Sequence, residues 1–211
     1  MTLTRRSLTL GLVTAPFAGA ASGQSTLSPA DAALVSRAVA YLEGLAEAKG
    51  RFVQTDARGR ASTGAIFMQR PGKARFAYDA PSGLLVVSDG GVVSVQDKRL
   101  KTFDQYPLAT TPLSLFLART IRLDRGVSIT RVARMADGFT ITARDGKKQT
   151  AGTLTLSFTD RPLALAGWTV SDAQGRPTRV QLIDLERTSG LNRDLFRLKD
   201  PRPKNVGRGK V

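Results

Sequence analysis

The chain has 211 residues, with 32 lysines and arginines against 17 aspartates and glutamates and a formal charge of +15. It contains no cysteine and no histidine, which excludes disulfides, thiolate nucleophiles and Cys-ligated metal, and removes the commonest general base and metal ligand. The length suits one domain with a real core, and the basic excess suits nucleic acid, an anionic membrane surface, an acidic partner, or merely a solvated surface.

The first residues narrow that choice. Thr4-Arg5-Arg6-Ser7-Leu8 precedes an apolar stretch from Leu8 to Phe17, then small residues from Ala18 to Ser22. A basic end, an apolar middle and a small-residue finish predict a cleaved export signal over residues 1–23. The paired arginines point to the twin-arginine type, and the apolar stretch is too short for a permanent membrane span. The expected mature chain is a soluble monomer in the periplasm, away from nucleic acid and without a lipid anchor of its own.

Ser28-Pro29-Ala30-Asp31 predicts a helix start, with a hydroxyl cap, proline at the first position and an acid in the first turn. Leu34, Val35, Ala38, Val39, Leu42 and Leu45 make one apolar stripe, and the helix is expected to end near Ala48-Lys49-Gly50. Arg51 to Thr55 and Ala61 to Gln69 read as a hairpin around a polar turn, Asp56 to Arg60. Lys73 to Asp79 alternates, with Ala74, Phe76 and Tyr78 on one face and Lys73, Arg75, Ala77 and Asp79 on the other, between the turns Arg70-Pro71-Gly72 and Ala80-Pro81-Ser82-Gly83. Leu84 to Ser88, Gly91 to Asp97 and Lys101 to Tyr106 continue the pattern, and such short connections require antiparallel neighbours.

Thr111-Pro112 repeats the helix-start signal ahead of Leu113, Phe116 and Leu117. This helix is about two turns long, so it needs an apolar surface to dock on and has the character of a lid. Strands resume over Ile129–Arg134, Phe139–Arg144, Thr153–Phe158, Ala164–Ser171 and Arg179–Leu185, and Leu195 to Leu198 reads as a last short strand. Residues 204–211 form a basic tail expected to be disordered. The count is about ten or eleven strands with two or three helices: a mainly β, α+β domain over residues 24–203, built as one curved antiparallel sheet. Periodicity alone leaves sandwich and barrel open.

No set of titratable groups converges in the pattern. Aspartates fall in turns (Asp89-Gly90, Asp137-Gly138, Asp145-Gly146), where they bond their own backbone. No phosphate loop, metal spacing or dinucleotide fingerprint occurs. The reading is therefore a binding protein: no enzyme, no catalytic residue, no cofactor and no metal.

The ordered set of RFVQTDARGRASTGAIFMQ, RPGKARFAYDAP, VVSDG, Thr111-Pro112 and DLFRLKDP resembles the periplasmic outer-membrane lipoprotein carrier family, the LolA family, over about residues 30–203. The resemblance implies an incomplete, open barrel whose apolar concave face is covered by a helical lid. It implies a carrier that takes lipoprotein acyl chains from an inner-membrane ABC-type exporter. Delivery would be to an outer-membrane acceptor lipoprotein or directly to outer-membrane lipid. A lipid-sensing regulator of the same fold is the alternative. Each acyl CH₂ gains roughly 0.8 kcal/mol by leaving water, so the fold is expected to offer an apolar groove. By strand parity the expected liners are Ile66, Met68, Phe76, Tyr78 and Val86, with Leu113, Phe116 and Leu117 from the lid. Arg70 matches the family's arginine that bonds lid carbonyls, a latch on the closed state. The family often has phenylalanine where this chain has Ala74, a position linked to docking on the exporter, which puts that contact in doubt here. Trp168 is expected in the sheet core.

Overall fold

The computed structural model describes residues 27–121, 127–145 and 152–201. The predicted export segment, the basic tail and Gly146 lie outside them. One helix, α1 (Pro29–Glu43), leads into β1 (Glu47–Thr55), β2 (Ala61–Gln69), β3 (Lys73–Tyr78), β4 (Leu84–Asp89), β5 (Val92–Asp97) and β6 (Thr102–Pro107). A 3-10 turn, Leu108–Thr110, and a one-turn helix, α2 (Ser114–Leu117), precede the second run of strands. These are β7 (Val127–Met135), β8 (Gly138–Asp145), β9 (Thr153–Asp160), β10 (Leu163–Ser171) and β11 (Pro177–Arg187).

All the strands join one 11-stranded antiparallel sheet in the order β6-β5-β4-β3-β2-β1-β11-β10-β9-β8-β7. Two meanders are fused through β1 and β11, where Phe52 stands beside Leu182 and Thr55 beside Arg179. The two edge strands, β6 and β7, are consecutive in sequence but lie at opposite ends of the sheet. The segment that connects them therefore has to cross from one edge to the other, and α2 lies on it. This is an open, curved antiparallel sheet, as the strand count and the family resemblance implied.

Alternation sets the inward face. Phe52, Ile66, Met68, Ala74 and Phe76 are buried in the first half, and Phe139, Ile141, Leu154, Leu156, Phe158 and Trp168 in the second. Phe52 meets Phe76 and Tyr78 edge-on at 5.7 and 5.0 Å, and Phe76 meets Trp168 at 5.9 Å. Helix α1 caps this core with Val35, Ala38 and Leu42. Ser28 accepts the Asp31 amide at 3.1 Å as its N-cap.

Three sequence expectations change. Helix α1 stops at Gly44, and Ala48 to Gly50 belong to β1, paired with Met68 to Ile66. Ladder bonds outweigh the helical preference of Glu47-Ala48-Lys49. The short helix begins at Ser114 rather than Thr111, whose hydroxyl donates to the Leu108 carbonyl at 2.8 Å. Residues 195–198 make no strand; Arg193–Phe196 is a 3-10 turn capped by Asn192. It packs on the outer side of β3 and β4, where Phe196 is buried and Arg75 donates to the Leu195 carbonyl at 2.9 Å.

The aspartates of two turns that are far apart in sequence but side by side in space take matching roles. Asp56 accepts the Arg58 and Arg60 amides, and Asp172 those of Gln174 and Arg176, all at 2.9 Å. These bonds hold both carboxyls below the usual range.

Candidate functional site

Arg70 directly follows β2, and its own amide bonds the Ala46 carbonyl at 2.8 Å. That places its side chain between the C-terminal ends of two helices. Nη1 donates to the Leu42 carbonyl in the last turn of α1, and Nη2 to the Ala118 carbonyl just after α2, at 2.6 Å. Carbonyls at a helix end have no partner within the helix and carry partial negative charge. Helix α1 has no basic residue of its own in that turn, so Arg70 supplies the cation from another element. Next to it the Gly72 amide bonds the Leu117 carbonyl at 2.7 Å. Glu43 completes the junction by accepting the Ile121 amide at 3.3 Å.

The junction is bonded but not saturated. The Arg70 Nε is buried without a partner among the described residues. Burial lowers the guanidinium pKa and the Glu43 carboxylate opposes that shift; arginine stays charged regardless. An orphaned donor costs about 1–3 kcal/mol, against about 1.5–3 for each charge-assisted bond made.

Below the junction the expected liners form continuous packing. Ile66, Met68, Phe76 and Leu117 are buried, and Tyr78, Val86 and Leu113 pack partly buried against them. The side chain of Phe116 lies outside the described residues. Ile66 pairs with Phe76, and Phe76 with Val86, so parity does put these residues in one row. Burial pushes the Tyr78 phenol up to about 12, and its hydroxyl donates to Gln54 at 2.7 Å.

Open apolar space lies to one side of that packing. A groove of about 520 Å³ runs along α1, lined there by Val35, Val39 and Ala40 and opposite by Ile121 and Ile129, with Leu27 and Glu43 also on its wall. Its volume is within the range of about 300–1,000 Å³ typical of small-molecule sites. Sequence reading did not place this groove. The available signal was the breadth of the α1 stripe: Val35, Ala38 and Leu42 fill the core, while Val39 is left over for a second contact.

The profile described as "Outer membrane lipoprotein carrier protein LolA" matches residues 43–199. The chain belongs to that family.

The match begins at Glu43 and so takes in β1 to β11, Arg70 and α2, but little of α1. An outer-membrane lipoprotein carrier protein of Chromobacterium violaceum is 23% identical over 198 residues, 90% of this chain and 95% of the relative. One from Cupriavidus taiwanensis is 24% identical over 196 residues, 85% of this chain and 90% of the relative. Among solved structures, a DUF1329 family protein from Desulfovibrio piger superposes with a TM-score of 0.51 at 12% identity, covering 80% of this chain and 96% of that one. It shares the fold. Ala74, where the resemblance leads one to expect phenylalanine, is fully buried and paired with Met68 and Ser88, so its side chain faces the core. Trp168 lies in the core, 4% exposed.

Proposed function

We propose that this chain is a periplasmic carrier that takes the acyl chains of lipoproteins released by an inner-membrane ABC-type exporter and delivers them to the outer membrane. The observation that carries this reading is the Arg70 junction: one guanidinium holds the ends of α1 and α2 across an otherwise apolar interior. Family membership and relatives named as carriers support the same reading.

In the mechanism, the closed state is the empty state. Val35, Ala38 and Leu42 occupy the concave face that cargo requires, so loading exchanges helix side chains for acyl carbon. Both cover the same apolar wall with hydrocarbon, which keeps the exchange near balance and reversible. Arg70 adds a bias toward closure, and the groove beside α1 offers a first foothold for a chain. Release follows when an acceptor offers the acyl chains a better environment and the helices close behind them. No covalent step is involved, and the exporter's work loads the carrier.

Mass spectrometry of the protein purified from periplasm tests this. A triacylated lipoprotein bound to it, and passed on to outer-membrane vesicles, is the expected result. Bound acyl chains that never transfer would make the protein a lipid sensor, and the absence of any bound lipid under active lipoprotein export would overturn the carrier reading.

A further inference from the structure

We infer that the β5–β6 hairpin tip, Lys98-Arg99-Leu100-Lys101, is the surface on which the protein lands on an anionic phospholipid bilayer. Among the exposed large hydrophobic residues described, Leu100 is the most open, at 58%. Three cations flank it within four residues, all exposed. The turn cannot fold the leucine back: Asp97 Oδ1 accepts the Arg99 and Leu100 amides at 2.8 and 2.9 Å. The neighbouring turn braces it through the Lys98 amide, which donates to the Gly83 carbonyl at 3.2 Å. Lys101 has a φ of 55°, a left-handed conformation that glycine or asparagine would adopt more easily. The chain keeps a cation at a position where local geometry favours a residue without one.

The acids nearby reduce this charge without cancelling it. The Asp97 carboxylate is turned into the tip by those two amides, and Asp79 is paired with Arg51 and Thr63. Asp104 is exposed on β6, past the tip.

The mixture of one leucine and three cations selects the partner. Covering Leu100 with an apolar protein surface would strip water from the adjacent cations, which is costly. An anionic bilayer suits both parts: phosphates meet the cations at the surface while the leucine reaches acyl carbon just beneath. The position also suits transfer. The tip lies at the strand ends opposite α2, which packs near Gly72, Gly91 and Leu108. The inward row runs out toward it through Tyr78 and Val95, both only partly buried. This inference deepens the carrier reading, resting on it for the presence of a bilayer.

Co-sedimentation of the full mature chain, without lipoprotein, tests it. Vesicles of phosphatidylethanolamine with one quarter phosphatidylglycerol should bind the protein, and pure phosphatidylcholine vesicles should not. Leu100→Ser should lower the partition about tenfold, and Lys98→Ser about fivefold. Lys101→Gly should weaken binding about as much while relieving the backbone, so poor folding cannot explain the loss. Leu100→Trp should be quenched by brominated acyl chains. Arg161→Ser, on the β9–β10 turn, removes the same charge elsewhere and should change nothing. Equal losses from Arg161→Ser and the tip variants would show diffuse charge attraction and overturn the proposal. So would a wild type that ignores both vesicle types, even if it captures an acidic protein instead. Lipoprotein loading, measured separately, should be normal in every tip variant. Failure of the wild type to load, with vesicle binding intact, would sink the carrier reading and leave the landing site standing.

Discussion

Arg70 Nη2 lies 2.6 Å from the carbonyl oxygen of Ala118, so the end of β2 holds the end of a helix that is one turn long. A helix of that length has no stability of its own. Its position therefore depends on what docks it, and the same guanidinium also holds the Leu42 carbonyl of α1.

Arg70→Leu removes both charge-assisted bonds, each worth about 1.5–3 kcal/mol, and adds apolar surface to the interior. The open, loaded state becomes more favourable relative to the closed one. The variant should load lipoprotein at least as well as wild type and release it to acceptor vesicles more slowly. Arg70→Lys keeps the charge but loses the fork that spans two carbonyls, and should fall between. Weakened loading with normal release would remove Arg70 from the transfer cycle.

Leu117 is fully buried, and its carbonyl accepts the Gly72 amide at 2.7 Å. Leu117→Asp places a carboxylate among the apolar side chains that Leu117 packs against, and α2 can escape that cost by leaving the surface. Amide hydrogen exchange should accelerate over 114–118 while β2 and β3 stay protected, with unfolding still cooperative. A collapse of protection throughout the sheet would make Leu117 a keystone of the whole core instead of a docking contact.

Gly64 sits where β2 passes beneath Phe52. A Cβ there would lie 2.4 Å from the Ala77 carbonyl oxygen and 2.7 Å from the Phe52 ring. The carbonyl belongs to a strand and cannot step aside. Gly64→Ala should destabilise the fold by about 1–3 kcal/mol, read from the denaturant midpoint, with an unchanged slope.

Glu47 ties the segment after β11 to β1. Its carboxylate accepts the Leu191 amide at 2.9 Å and the Gln69 side-chain amide at 2.8 Å, which lower its pKa, the Leu191 bond most. A carboxyl lowered on folding stabilises the fold above its unfolded pKa, and that contribution disappears as pH falls through the folded value. The protection factor of the Leu191 amide, its exchange rate corrected for the intrinsic pH dependence, should therefore fall on acidification below the ordinary carboxylate range. Glu47→Ala should abolish that pH dependence and loosen the segment at neutral pH. Asp56, Asp79 and Asp172 shift in the same direction, so global acid denaturation would not isolate Glu47, whereas this amide does.

What the residues determined by themselves is the local grammar. The alternation of Ala74, Phe76 and Tyr78, the turns at Pro71-Gly72 and Pro81, and the Ser28 cap act over a few residues, so antiparallel strands and the helix start were legible. Arg70 was legible as a candidate through its family setting, together with the inward row from Ile66 to Val86. Only tertiary structure decided the rest. The β1–β11 seam, with Phe52 beside Leu182, joins segments that no local pattern relates. That seam is what turns Ala48 to Gly50 from a continuing helix into a strand, because ladder bonds to two neighbours outweigh a weak propensity. Residues 193–196 became a 3-10 turn because Phe196 and the Leu195 carbonyl found partners on β3 and β4 rather than a free sheet edge. The groove along α1 depends on Ile121 and Ile129 facing Val39; the breadth of the α1 stripe carries the helix side of it, but no local pattern relates the two walls. Cavities are set by what surrounding elements leave unfilled, and only packing in three dimensions determines that.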